Sequence, residues 1–270
     1  VLRKAAFAGS FYNSGPKLLI RDFEDWFAKA KVPELISELA GLISPHAGYM
    51  YSGFCAAHSY KMLAGRSVKT AIILHPSHRG NHFDFSISPF TEYHTPLGNL
   101  KLDEDVAESL FSKGAEVIDP WYHQNEHSME VQLPFLKYIL HDVRIVPVMF
   151  GVQNISVSNT LAQILSGIVT DETVVIASTD LSHYHSALEA GKMDTALISD
   201  LLSNNIESLY DSIKHGRTEA CGFAGILTLM FLAENIGNCK FKELLYTHSG
   251  VTSGDNSQVV GYLSAALSKG

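Results

Sequence analysis

Residues 173–185, TVVIASTDLSHYH, decide the fold. Thr173 to Ala177 is a short run of β-branched and apolar residues, the composition of a strand buried on both faces of a parallel sheet. At Ser178 the chain turns polar and offers Asp180 and His183. In an open α/β sheet this is the character of a strand's carboxyl end, and chemistry gathers along that rim. The same grammar recurs upstream. Leu39–Ser44 is apolar and runs into PHAGYMYSG at 45–53, and Thr70–Leu74 runs into HPSH at 75–78. A fourth motif, EACG at 219–222, precedes an apolar stretch read as a helix over 222–234.

Helical and strand patterns alternate through the rest. Leu18 to Ala30 reads as an amphipathic helix with Leu19, Phe23, Trp26 and Phe27 on one side. Further helices are expected at 55–63, 103–113, 129–140, 155–169, 188–202 and 206–212. Arg144–Phe150 is a strand in which Pro147 points to a bulge or an edge. Phe83–Ser88 alternates apolar and polar residues and reads as an exposed or edge strand. Late strands are expected at 241–247 and 258–265. No linker, low-complexity tract or repeat interrupts the pattern. The expectation is a single α/β/α domain over residues 1–270, with a largely parallel central sheet and helices on both faces.

Composition narrows the function. Apolar residues make up 46% and charged residues 18% of the 270, a globular balance rather than a disordered one. The net charge of −8 comes without a block of basic residues, which argues against nucleic acid as a partner. No apolar run approaches a membrane span, so no membrane role is expected. VLRKAAFAGSFYNSG lacks the apolar core of a signal peptide. Three cysteines are too few for a disulfide framework, and free thiols suit a reducing compartment. The expected location is the cytoplasm.

His46 and His78 follow adjacent strand candidates, each behind a proline and beside small residues that let a ligand approach. His75 and His82 compete with His78, which is favoured because the turn after Pro76 should aim it back across the rim. Cys221 stands before an apolar helix, where the helix end favours a thiolate. A thiolate with two imidazoles makes a three-ligand metal set with open positions. Asp180 could orient an imidazole and His183 could act as acid or base, although Asp180 could equally cap the following turn. Tyr51, Glu126, His127 and His185 are candidates for the pocket wall, with helix capping the alternative for Glu126 and His127. GxGxxG, P-loop, HExxH and GxSxG motifs are absent, which removes support for nucleotide binding and ordinary serine hydrolysis.

PHAGYMYSG, PSH, NEHSMEVQLPF, STDLSHYH and EACG, in this order and spacing, resemble the Memo family of eukaryotes, archaea and bacteria. The resemblance runs from AGSFY near the start to VVGYLSAAL near the end. It implies a fold similar to that of class III extradiol ring-cleavage dioxygenases, which are non-haem iron enzymes. It also implies His46, His78 and Cys221 as metal ligands, with Asp180 and His183 as further pocket residues. The dioxygenase pattern has a carboxylate where Cys221 stands. A thiolate softens the site, so iron or copper is expected, with zinc a further candidate. Eukaryotic members are linked to receptor tyrosine kinase signalling and phosphotyrosine peptides. Prokaryotic members accompany AMMECR1-like and radical SAM proteins, which implies a shared pathway. Two functions compete: a metal-dependent redox or oxygenase-type enzyme acting on a small molecule, and a non-enzymatic adaptor using the same pocket for a peptide or anionic ligand.

Overall fold

The computed structural model describes residues 1–34 and 38–270. Its strands are β1 Leu2–Arg3, β2 Leu39–Ser44, β3 Thr70–Pro76, β4 Phe85–Ile87, β5 Glu92–Thr95, β6 Gly98–Leu102, β7 Arg144–Phe150, β8 Thr173–Ser178, β9 His183–His185, β10 Cys239–His248 and β11 Val259–Lys269. They join in the order β1-β5-β6-β7-β3-β8-β2-β11-β10, with β4 added against β7 and β9 against β11. The run β6-β7-β3-β8-β2 is parallel throughout. Its flanks are antiparallel, β5 on one side and β11 followed by β10 on the other. This is the expected α/β class with a parallel centre.

Alternation along each central strand feeds two cores. Ile72, Leu74, Val146, Val148, Val175 and Ala177 pack on one face with the helices Ile155–Ser166 and Phe223–Ile236. Ala71, Ile73, Ile145, Val174 and Ile176 pack on the other, with Pro16–Lys29, Tyr49–Lys61 and Leu133–Leu140. Burial of each Val or Ile contributes roughly 1.5–3 kcal/mol, and the interior of β8, residues 174–177, is accordingly all apolar.

Four expectations change. The helix expected from Cys55 begins at Tyr49, inside the His46 motif. The helix expected over 129–140 is broken into His127–Glu130 and Leu133–Leu140. Pro134 causes the break, because it has no N–H for the Glu130 carbonyl. Phe83–Ser88 shrinks to β4, which pairs with β7 alone among the strands and so is the expected edge strand, but buried rather than exposed. Pro147 lies in an interior strand: β3 flanks β7 on one side, while β6 pairs with 144–145 and β4 with 148–150 on the other. Pro147 falls between those two partners, where the ladder asks no donor of it.

Candidate metal centre

Most of the candidate side chains arrive from the carboxyl end of a strand or the segment after it, the exceptions being Tyr51 on the helix Tyr49–Lys61, the Cys221 loop and the segment 126–127. β2 delivers His46, β3 delivers His78, β8 delivers Asp180 and leads to His183, and the loop before the helix Phe223–Ile236 delivers Cys221. Ligand atoms of His46, His78 and Cys221 lie within 4.8 Å of one another. His46 is buried at 2% exposure, and its Nε2 sits 3.1 Å from Cys221 Sγ.

Hydrogen bonds fix the imidazoles. Ser178 Oγ donates its one proton to the Ser128 carbonyl (2.7 Å) and accepts from Gln132 Nε2 (2.9 Å). Toward His46 Nδ1, at 3.0 Å, it can therefore only accept. Nδ1 carries the hydrogen and Nε2 keeps its lone pair on the Cys221 side. At His78, Nδ1 donates to Glu126 Oε1 (2.9 Å) and the backbone N–H donates to Oε2 (2.8 Å). That leaves His78 Nε2 as the ligating nitrogen. Both imidazoles are thus held from behind in the tautomer a metal needs, His78 in the carboxylate–histidine arrangement common at metal sites and His46 by a serine hydroxyl. Two such nitrogens and a thiol sulfur fit a borderline-soft ion such as iron, copper or zinc.

Glu126 is fully buried and does two jobs. Besides His78, its Oε1 accepts from Ser128 N (3.0 Å), capping the helix His127–Glu130, and contacts His127 Nδ1 at 3.3 Å. His127 stacks on His78 with centroids 4.7 Å apart and stands edge-on to His46 at 5.3 Å. His78, Glu126 and His127 form a second group of possible ligands.

Electrostatics follow from burial. Burial depresses the His46 pKa well below the ordinary value, with the charges of His127 and His78 acting in the same direction. Burial likewise lowers His127 to about 4. Burial also acts to lower His78, but Glu126 outweighs it and leaves the pKa raised. Burial would raise Glu126, yet the His78 hydrogen bond and charge hold it well below the carboxylate range. The chain's own groups oppose the thiolate expected of Cys221 from its helix-end position. Burial, then the Asp180 charge, push the thiol well above its ordinary pKa. The Asp180 N–H donates to Sγ at 3.3 Å and favours the thiolate, but a bound cation is what would complete the deprotonation.

The remaining candidates separate. Asp180 does not brace His183; its Oδ1 accepts the His46 backbone N–H at 2.8 Å, because the turn after β8 folds back toward the end of β2. Burial raises its carboxyl to about 7. Glu219 instead holds the other two histidines, accepting from His183 N (3.1 Å) and lying 3.0 Å from His185 Nε2. Tyr51 is 38% exposed on the first turn of the helix Tyr49–Lys61, while His75 is buried beneath the rim against Ser128 Oγ at 3.1 Å. Sequence reading missed Ser178, Gln132 and Gln153. Gln153 donates to the Cys221 carbonyl (2.7 Å) and accepts from Ala224 N (3.1 Å), so it fixes the loop that carries the thiol. The one sequence signal for Ser178 was its place as the first polar residue after the apolar run 174–177.

The architecture and site together define an α/β protein with a His/His/Cys group at the carboxyl rim of a parallel sheet. A model of the Memo-like protein family matches residues 3–266, and the chain belongs to that family. A MEMO1 family protein of Methanobrevibacter smithii is 38% identical over 98% of this chain and 99% of its own length. One of Sulfurisphaera tokodaii is 36% identical, over 98% of each chain. Among solved structures, the uncharacterized protein JW3007 from Escherichia coli K12 is similar with a TM-score of 0.49 and 10% identity, over 83% of this chain and 99% of that one.

Among the described residues no helix is long and apolar enough to cross a membrane. Cys55, Cys221 and Cys239 are all free thiols.

Proposed function

We propose that this chain is a metal-dependent redox protein of oxygenase type, in which His46, His78 and Cys221 hold one iron or copper ion. The observation that carries the reading is the pair of imidazoles whose Nδ1 atoms are both committed, to Ser178 and to Glu126, while both Nε2 atoms keep lone pairs beside the Cys221 thiol. Bound there, such an ion supplies one-electron chemistry and open positions for dioxygen or a small substrate. The chain's own residues do the rest. Glu126 keeps His78 in its ligating tautomer, and Asp180 fixes the His46 backbone. His183, on β9 and braced by Glu219, is the residue assigned to move a proton at its ring nitrogen. Its burial-lowered pKa leaves it neutral near pH 7 and able to accept one. The free thiols favour a reducing compartment, and we place the protein in the cytoplasm on that basis.

The test is elemental analysis after anaerobic purification of the wild type, His46→Ala and Cys221→Ser. The expected result is about one iron or copper per wild-type chain, with loss in both folded variants. Unchanged metal content in both variants would overturn the reading. The same site would then serve as a histidine-lined binding pocket for a peptide or anion.

A further inference from the structure

A cleft of about 510 Å³ opens beside the metal-binding groups, between the loop after Ala8 and the helices Pro16–Lys29 and Tyr49–Lys61. Tyr12 and Tyr49 form its floor. Their hydroxyls are committed elsewhere, Tyr12 donating to Glu130 Oε1 (2.7 Å) and Tyr49 to the Val131 carbonyl (2.6 Å). Both rings are nearly buried, at 4% and 6% exposure, so the half-buried Phe11 and Trp26 supply most of the ring surface of the cleft. Trp26 stands across Tyr49 at 75° with centroids 5.8 Å apart, and Tyr12 leans on Tyr49 at 5.3 Å. Phe11 and the exposed Met50 complete the walls. Phe11 also packs on the His127 ring at 4.7 Å, so one aromatic ring separates this cleft from the metal-binding groups.

Asp22 is the one charged residue on the lining, and no Lys, Arg or His borders the cleft among the described residues. Asn13 Nδ2 donates to Asp22 Oδ2 at 2.6 Å and so orients the carboxylate. Oδ1 has no protein hydrogen bond among the described residues. Ring faces set at an angle around a lone carboxylate attract a cation through their quadrupoles, and apolar walls accept its carbon substituents. An anion would meet the Asp22 charge, and a neutral apolar ligand would offer nothing to Asp22 Oδ1. A volume of this size suits a small molecule. The geometry points to a second binding site here, for a small organic ammonium ion, with Asp22 as its counter-ion and Trp26 as its principal ring. This site does not depend on metal at His46, His78 and Cys221.

The chain has two tryptophans, and Trp121→Phe leaves Trp26 as the sole indole reporter. Choline titrated into that variant, as purified, is expected to give a saturable change in Trp26 fluorescence. The neutral isostere 3,3-dimethyl-1-butanol should bind at least about tenfold more weakly. Asp22→Asn retains an oxygen for Asn13 and removes only the charge, and it should weaken choline by a similar factor while leaving metal content unchanged. The absence of a saturable change overturns the site. So does equal binding of choline and the isostere, or undiminished choline binding by Asp22→Asn. Because the readout is neither metal content nor turnover, its failure is distinct from failure of the redox reading.

Discussion

At the scale of single residues, one carboxylate does more than any ligand to shape the centre. Glu126 Oε1 takes the His78 Nδ1–H while Oε2 takes the His78 N–H, so both the ring and the backbone of one ligand hang on one buried side chain. Losing its charge removes the partner that keeps His78 basic and its Nε2 available. Glu126→Gln is therefore expected to fold, since the amide still offers an oxygen to cap Ser128 N, but to bind metal about 10–100-fold more weakly. A chelator-competition titration of the folded variant checks this. Affinity within twofold of wild type would show that the Glu126–His78 bond is only a structural contact. His46 stands on a neutral brace instead, Ser178 held between Ser128 and Gln132. Its ring is accordingly fixed in direction without being made more basic.

At the scale of elements, the centre depends on how closely the helix Phe223–Ile236 meets the end of β8. Gly222 lies at that junction, its N–H donating to Thr179 Oγ1 at 2.9 Å. A Cβ on Gly222 would come within 2.5 Å of the Ser178 carbonyl oxygen and 3.0 Å of the Thr179 Cβ. Backbone cannot swing aside as a flexible side chain can, so Gly222→Ala must push the helix start off the strand, and Cys221 with it. The expected cost is about 1–3 kcal/mol of stability, measured by urea unfolding, together with loss of bound metal. A variant of wild-type stability and metal content would show that this junction has slack. The glycine of EACG was visible in the sequence, but the reason for it was not, since it depends on a carbonyl more than forty positions away. The same distinction runs through the whole chain. β2, β3 and β8 were legible because strands buried on both faces are written as continuous apolar runs. β5, β6 and β9 were not, being short and mixed in exposure, with pairings to distant partners supplying what local composition does not. His46, His78 and Cys221 were legible as ligand types after strands or before a helix. Their supports, Ser178, Gln132 and Gln153, are ordinary polar residues whose role exists only once the segments meet.

At the scale of the whole molecule, histidines buried without a charge partner set the acid limit of the fold. Burial lowers His75 to about 4 and His123 to about 3, and it takes His46 well below the ordinary value. The unfolded chain protonates all three near pH 6.5, whereas the folded chain refuses those protons until far lower pH. Between about pH 6.5 and 4 the unfolded state therefore binds more protons, and stability falls as pH falls, by up to about 1.4 kcal/mol per pH unit for each histidine. Asp180 and Asp194, whose carboxyls burial raises, act with the opposite sign, whereas His78, whose pKa Glu126 raises, acts with that sign only above the window. His127, lowered to about 4, joins the larger group, so the depressed histidines outnumber the opposing groups. Urea midpoints measured in the presence of a chelator, which removes any contribution from metal release, should decline steadily across this window. His123 is fully buried and belongs to neither group of possible metal ligands, and its removal tests the cause. His123→Phe should flatten the decline, whatever it does to the midpoint at pH 7, because a phenyl ring takes no proton in either state. A slope as steep as the wild type's would clear His123 and assign the acid sensitivity to the carboxylates whose pKa the fold holds low, Glu126 and Glu219, which keep His78, His183 and His185 in place.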